Sequence, residues 1–456
     1  MKRKILSKRV LFITLAIFLL SSTLLGCRQK EETLPPEGEF AEIATEFVEE
    51  LTEEEFESAA GKFNEEMRRA MPKELLGQTW KQLEDQVGPF IQIIILREEI
   101  VQEYDVIFVT TEFENEFIDI RVVFDKEKWI AGLFFEPASE YSVERGDPDY
   151  VDREAFREEE VTFGEEPWMI SGTLTIPEGE GPHPVVILVH GSGPNDRDST
   201  IGPNRPFKDI AEGLSSSGVA VLRYDKRTYT YQTSFIDTPG EITVREETTE
   251  DALKAITFLK AREEIDGEQI FLAGHSLGGM LAPRIAEETE DLKRLILLAA
   301  PGRPLSELIL MQTEYLIEHE EQHTEDLEVG MEELRRQVER IQDPNLPLDT
   351  PLDETLGVPA AYWLDLQQYN ALETAKALTL PIMILQGERD YQVTTEDLEL
   401  WRQTLENEPE VSFHSYADLN HLFMPGEGLS LPDEYFEANH VDELVIMDIL
   451  NWIRTD

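Results

Sequence analysis

The sequence holds one cysteine, Cys27, among 456 residues. No intramolecular disulfide can form, so the folded parts must be held together by packing. Basic residues are scarce: 40 Lys and Arg stand against 94 Asp and Glu, a formal net charge of -54. Such a chain repels phosphate backbones, and no basic patch with interleaved aromatic residues offsets that repulsion, which excludes nucleic acid as a partner. The carboxylates read as a solvated surface, of a kind suited to high salt where their mutual repulsion is screened. Repeats are lacking, as are low-complexity tracts other than acidic runs. So is an uninterrupted apolar run of the roughly 20 residues that spans a bilayer. Apolar side chains, by contrast, make up 41% of the chain, ample for buried cores, and the length exceeds one typical domain.

The first residues are basic (Lys2, Arg3, Lys4, Lys8, Arg9), then apolar from Val10 to Leu20. Ser21, Ser22 and Thr23 follow and lead into Leu24, Leu25, Gly26 and Cys27. This order resembles the lipobox of bacterial lipoproteins. The resemblance implies cleavage just before Cys27 and a diacylglycerol on its thiol, with the lipid bilayer as a partner. The protein is then exported and anchored to the outer face of the cell membrane, two acyl chains giving durable attachment. Residues 1–27 are thus expected to be a signal segment, and 28–39, with Pro35 and Pro36, a tether.

Two folded regions are expected beyond it. In 40–136, helical patterns at Ala41–Leu51 and Glu53–Ala70 precede strand-like runs at Phe90–Leu96, Tyr104–Phe113, Phe117–Phe124 and Trp129–Phe135, an α+β order. By element order alone this region resembles small cystatin-like domains of unknown function found ahead of hydrolase domains. It shows no catalytic motif, and a spacer or packing partner is the simplest role.

In 155–456, runs at Glu160–Phe163 and Met169–Ile176 read as an opening hairpin. Val185–Val189, Val219–Tyr224, Ile270–Ala273, Leu295–Ala299, Pro381–Gln386 and Val411–Tyr416 then alternate with helical patterns, including Pro206–Ser216, Glu250–Arg262, Leu281–Glu288 and Val441–Arg454. Near-continuous β-branched runs between helices signify an α/β fold, a mostly parallel sheet covered on both faces. The stretch from 302 to 377 is longer than a strand crossover requires and is expected to be an inserted helical cap.

Gly274-His275-Ser276-Leu277-Gly278 fits G-x-S-x-G between a strand and a helix, the setting of a nucleophile elbow. A serine nucleophile needs a base, and the base needs an acid to hold its tautomer. Asp390, after the run ending at Gln386, and His421, after the following strand, suit those places. Rivals are Glu388, Asp397 and Asp418 for the acid, with Asp418 close to His421, and His414 and His440 for the base, although His440 is better placed to cap the last helix. The amide of Leu277 is one oxyanion donor, and the loop His190-Gly191-Ser192-Gly193-Pro194 offers Ser192, or Gly193 next, for the other.

The run His190 to Asp198, the elbow and the Asp390 and His421 loops together resemble bacterial α/β-hydrolase esterases of the dienelactone hydrolase and acyl-thioesterase branch, over about the last 300 residues. The resemblance implies an acyl-enzyme on Ser276, a small-molecule acyl ester as substrate, and neither metal nor organic cofactor. Thioester hydrolysis or acyl transfer, a prolyl-oligopeptidase-like peptidase and a non-catalytic binding module are the alternatives. His319-Glu320-Glu321-Gln322-His323 also fits H-E-x-x-H, but in so acidic a stretch the pattern arises cheaply. Asp225, Lys226 and Arg227 read as structural ion-pairing residues.

Overall fold

The computed structural model describes residues 39–455 apart from 102–103, 115–116, 139–145, 237–241 and 320–324. The export segment, Cys27 and the tether up to residue 38 lie outside the described residues. Among those described, no helix is long and apolar enough to cross a membrane. The chain divides into two compact units, whose described parts fall within Met1–Glu144 and Arg145–Asp456.

The first unit opens with helices α1 (Phe40–Thr52), α2 (Phe56–Gly61), α3 (Glu65–Ala70) and α4 (Lys73–Val87). The helix expected over Glu53–Ala70 is divided in two. Glu54 takes a positive φ of 59°, and Phe63 bridges to Ile130, with Asn64 N donating to Ile130 O at 2.9 Å, before the Asn64 side chain caps α3 through Met67 N. Helix α4 goes beyond the sequence expectation, although Leu76, Trp80, Leu83 and Val87 mark its buried stripe at helical spacing. Strands β1 (Phe90–Val101), β2 (Tyr104–Phe113), β3 (Phe117–Phe124) and β4 (Ile130–Pro137) form an antiparallel meander in that order. Its inner face closes over α1 and α4, with Trp80 centred 5.7 Å from the ring of Phe113.

The second unit contains β5 (Phe156–Glu165), β6 (Trp168–Pro177), β7 (His183–Val189), α5 (Pro206–Ser215), β8 (Ala220–Tyr224) and α6 (Arg227–Ile236). A single π-helical turn (Arg245–Thr249) leads into α7 (Glu250–Lys260), followed by β9 (Ile265–His275), α8 (Leu277–Glu287), β10 (Arg294–Leu298), α9 (Leu305–Glu318), α10 (Glu325–Ile341), α11 (Ala360–Gln367) and α12 (Ala371–Ala377). The chain closes with β11 (Ile382–Gly387), α13 (Thr395–Leu405), β12 (Val411–Tyr416) and α14 (Glu443–Ile453). The unit begins before the expected residue 155: Tyr150 Oη donates to Val441 O at 2.8 Å and Arg153 pairs with Glu212 at 2.5 Å.

The eight strands run in the order β12-β11-β10-β9-β7-β8-β6-β5. The hairpin β5–β6 and the β6–β8 pair are antiparallel and the remaining pairs parallel. Strand β7 explains the two-sided cover. Val185, Ile187 and Val189 face one layer with Ile256 of α7 and Leu281 of α8, whereas Val186 and Leu188 face the other with Ile210 of α5 and Ile449 of α14. From β7 the chain steps to β8 on one side and then crosses to β9 on the other, so the connections diverge at the strands' carboxyl ends, the place where open α/β sheets bind their ligands.

Helices α9 to α11 are the inserted ones. Tyr315 of α9 donates to Ser430 O at 3.1 Å and Gln312 to Gln392 O at 2.8 Å, both in loops at the sheet's carboxyl edge, and Arg284 of α8 holds Asp365 of α11 through two bonds. Helix α12, counted with the insertion in the sequence expectation, instead buries Ala371 and Ala375 in the layer that holds Leu398 and Trp401 of α13. It serves as the ordinary crossover helix between β10 and β11.

Candidate active site

Ser276 sits between the end of β9 and the start of α8 with φ 53° and ψ -121°, a left-handed backbone that a side chain rarely adopts. Its neighbours explain why the turn can close. A Cβ on Gly274 would lie 2.2 Å from Gly278 O, one on Gly278 would lie 2.3 Å from Val189 O, and one on Gly279 would meet Ala300 Cβ at 2.7 Å. Only glycine allows such approaches. Ser276 N donates to Leu298 O at 2.8 Å, tying the turn to β10. The serine is left half-buried at the N-terminus of α8, while both flanking positions are buried.

Asp390 and His421 arrive on the loops after β11 and β12. His421 Nδ1 lies 2.6 Å from Asp390 Oδ2, both side chains being buried. The other carboxylate oxygen, Oδ1, accepts from Gln392 N at 2.8 Å and Val393 N at 2.9 Å, and Gln386 Nε2 donates to Oδ2 at 3.1 Å. So many donors hold the Asp390 side chain in one rotamer. The two loops meet closely, since a Cβ on Gly387 would lie 2.4 Å from Leu419 O. The Asn420 side chain folds the histidine loop by accepting from Leu422 N and Met424 N while donating to Glu434, which Arg389 also pairs with at 2.7 Å.

The loop after β7 lies against the serine: a Cβ on Gly191 would stand 3.1 Å from Ser276 Cβ. His190 anchors it, its Nε2–H donating to Tyr224 O at 2.6 Å and its ring stacking on Phe207 at 4.7 Å. Beyond it Ser192 and Gly193 are exposed, the latter at φ 83°. Leu277 is the first residue of α8, and its amide belongs to the turn whose N–H groups the helix leaves unused. Burial pushes the His190 ring down to about 4. Burial, then the neighbouring His421, takes His275 down to about 3. Both imidazoles are therefore neutral at neutral pH.

The rivals fall elsewhere. His440 does not cap α14. Asp442 does so by accepting from Leu444 N at 2.8 Å, because an aspartate one residue before the helix reaches the free amides that the His440 ring does not, and His440 Nδ1 instead lies 3.2 Å from Asp209 Oδ1. His414 is half-buried in β12, 3.3 Å from Asp448. Glu388 accepts from Ser415, and Asp418 is exposed. Asp397 is buried and accepts from Gly302 N, Arg303 N and the Arg303 guanidinium. In the H-E-x-x-H stretch His319 ends α9 with Nδ1 2.7 Å from Tyr315 O, and residues 320–324 lie outside the described ones. Among the described residues no group of three or more His, Cys, Asp or Glu could hold a metal.

Asp225, Lys226 and Arg227 all form ion pairs, but to different places: Arg197 (2.7 Å), Glu247 (3.0 Å) and Asp251 respectively. Lys226 also donates to the carbonyl of Gly191 at 2.8 Å, beside the candidate oxyanion donor. Sequence reasoning passes over the supports Gln386, Asn420, Glu247 and Tyr362. The first two lie within four residues of Asp390 and His421 and could be sought there; Tyr362 is 115 positions from its partner Glu247 and no spacing signals it.

A family model described as "Serine aminopeptidase, S33" matches residues 181–427, and one described as "Protein of unknown function (DUF3887)" matches 44–133. The chain is 40% identical over 416 residues to Esterase EstD of Thermotoga maritima, covering 91% of this chain and 96% of that protein. Among solved structures, Est1E from Butyrivibrio proteoclasticus is 18% identical with a TM-score of 0.42, covering 64% of this chain and 97% of that one. An esterase of Pyrococcus furiosus is 17% identical with a TM-score of 0.40, covering 59% and 84%.

Proposed function

The chain belongs to the α/β-hydrolase esterases that carry an N-terminal domain of unknown function, and is a carboxylic ester hydrolase; from that premise we propose that it works through an acyl-enzyme on Ser276, with His421 as general base and Asp390 as the acid that orients it. The observation that carries the reading is the strained Ser276 backbone packed against the Gly191 loop, together with a histidine whose Nδ1 is engaged by a buried carboxylate 2.6 Å away and whose carbonyl is held by His275, the residue before the serine.

In this mechanism Ser276 Oγ bonds to the ester carbonyl carbon as its proton passes to His421 Nε2, and the carbonyl electron pair moves onto oxygen. The amides of Leu277 and Ser192 receive that oxyanion. As the carbonyl re-forms, the carbon–oxygen bond to the alcohol breaks and His421 protonates the departing alkoxide. Water then repeats the sequence on the acyl-enzyme, releasing the carboxylic acid and returning the proton to Ser276. The Asp390 carboxylate orients and stabilises the imidazolium through Nδ1.

Turnover of p-nitrophenyl esters of increasing chain length tests this. Loss of turnover in Ser276→Ala, with a chelator having no effect, is the expected result. Turnover that survives Ser276→Ala overturns the acyl-enzyme. Preferred cleavage of acyl thioesters or of aminoacyl p-nitroanilides would redirect the same serine to thioester or peptide substrates, the latter in line with the family description.

We also propose that the chain is a lipoprotein, exported and anchored through diacylglyceryl-Cys27, and that the first unit is a cystatin-like spacer; helices ahead of a four-stranded meander support the latter. Mass spectrometry of the cell-made protein should find a lipidated Cys27 as its first residue, and an N-terminus upstream of Cys27 would refute the anchor.

A further inference from the structure

Gly191 and Ser192 share one peptide unit, and its carbonyl has a charged partner. Lys226 Nζ donates to Gly191 O at 2.8 Å and lies 3.0 Å from Glu247 Oε1, whose other oxygen accepts from the Tyr362 hydroxyl at 2.7 Å. All three side chains are buried. They come from the loop after β8, the π-helical turn ahead of α7 and the inserted helix α11, three distant segments forming one chain of contacts that ends on the Gly191 carbonyl. As a stability device this is poor, because desolvating an ammonium and a carboxylate offsets most of their attraction.

Resting on the acyl-enzyme reading above, we propose that Lys226 is a positioning residue for the oxyanion hole. By donating to Gly191 O, the ammonium fixes the plane of the Gly191–Ser192 peptide. It also draws electron density toward that carbonyl, which makes the Ser192 N–H at the other end a stronger, better aimed donor. Glu247 and Tyr362 hold the ammonium in place. The flanking groups are fixed as well: Asn195 Nδ2 donates to Ser192 O and Gly193 O, each at 3.0 Å, and Lys226 N donates to Asn195 O at 3.0 Å. The peptide unit that meets the oxyanion is thus held at its own carbonyl and at the two after it.

Deleting one oxyanion donor outright costs about 10²–10³ in kcat. A donor still present but less well aimed costs less, so Lys226→Met should lower kcat about 10- to 100-fold. KM should stay within about two-fold, because the tetrahedral oxyanion leans on the hole far more than the ground-state carbonyl does.

The test measures kcat and KM on a p-nitrophenyl ester with the full chain, alongside inhibition by a trifluoromethyl ketone, which adds Ser276 to form an oxyanion, and by the matching alcohol product, which does not. Lys226→Met is expected to raise the Ki of the ketone by the same factor as kcat falls and to leave the alcohol's Ki unchanged. Lys226→Arg, which keeps a cationic donor, should recover much of both losses, and Tyr362→Phe should show the same pattern at about three-fold. A Lys226→Met protein with unchanged kcat overturns the proposal, as does one whose activity falls only in step with its folded fraction by near-ultraviolet circular dichroism. If Lys226→Met does not fold, Tyr362→Phe and Glu247→Gln carry the test, and unchanged kcat and ketone Ki in both overturn it. Wild-type turnover that survives Ser276→Ala would instead sink the acyl-enzyme reading itself.

Discussion

His275 Nε2 donates to the main-chain carbonyl of His421 at 2.9 Å, so the residue before the nucleophile holds the loop that carries the base. Their rings lie 4.6 Å apart. With His190 at the end of the neighbouring strand, two buried imidazoles flank the site, and neither can take up a proton without losing solvation it does not recover.

That fixes how stability responds to acid. In the unfolded chain both rings titrate near 6.5, whereas folding depresses them to about 4 (His190) and about 3 (His275), burial being the main cause in each. Between pH 6.5 and about 4 the unfolded state binds more protons, so stability is lost as pH falls through that window. A tenfold change in a group's proton affinity on folding corresponds to about 1.4 kcal/mol, and the pair is worth several kcal/mol on that scale. Urea midpoints measured from pH 7 to 4 should fall steeply in the wild type and less steeply in His275→Gln; equal slopes would show that His275 is not the group responsible.

The Asp390 carboxylate allows a sharper expectation for Asp390→Asn. Gln392 N and Val393 N both donate to Oδ1, so the asparagine must turn its carbonyl that way and its NH2 toward His421. An NH2 facing Nδ1 forces the ring proton onto Nε2, where the base should be free to accept one from Ser276. Turnover should fall by about 10⁴ with the fold and KM nearly unchanged, as read by ester kinetics and circular dichroism. A loss under ten-fold would remove Asp390 from the mechanism.

Much of the site could be read in the sequence because its chemistry is local. Gly274 to Gly278 encode the strained turn in five adjacent residues, and the strand-like runs that precede Asp390 and His421 place those loops at one edge of the sheet. The helix α4 stripe was equally local, in Leu76, Trp80, Leu83 and Val87, but lies between a proline and a glycine that suggest a turn. What was not legible depends on distant partners. Nothing near Lys226 indicates that it reaches Gly191, 35 positions away, and α12 resembles α9 to α11 in pattern while burying Ala371 and Ala375 in the layer of α13. A buried ion-pair chain has no period.

The Ser276 backbone predicts a conflict between stability and activity. A positive φ at a non-glycine residue costs on the order of 1–3 kcal/mol, and glycine removes that cost while loosening the unfolded chain by roughly 0.5–1 kcal/mol. Ser276→Gly should therefore be inactive yet more stable than Ser276→Ala, which keeps the Cβ, by about 1 kcal/mol in urea unfolding. Equal stability would mean that the turn stores no strain at this position.

Asp397, the remaining rival acid, offers the converse test. It is buried and accepts from Gly302 N at 3.0 Å, Arg303 N at 3.1 Å, the Arg303 guanidinium at 2.6 Å and Thr394 N at 3.2 Å, just where the chain leaves β10 for the inserted helices. Asp397→Ala would strand those donors. Removing one partner of a fully buried pair costs about 3–5 kcal/mol, and since Arg303 is partly exposed a loss of about 2–3 kcal/mol in urea unfolding is expected here. Once corrected for folded fraction, turnover of a short-chain ester should fall by no more than about ten-fold, because none of these bonds touches His421 or Ser276. A fall near 10⁴ at full foldedness would instead transfer the orienting role from Asp390 to Asp397.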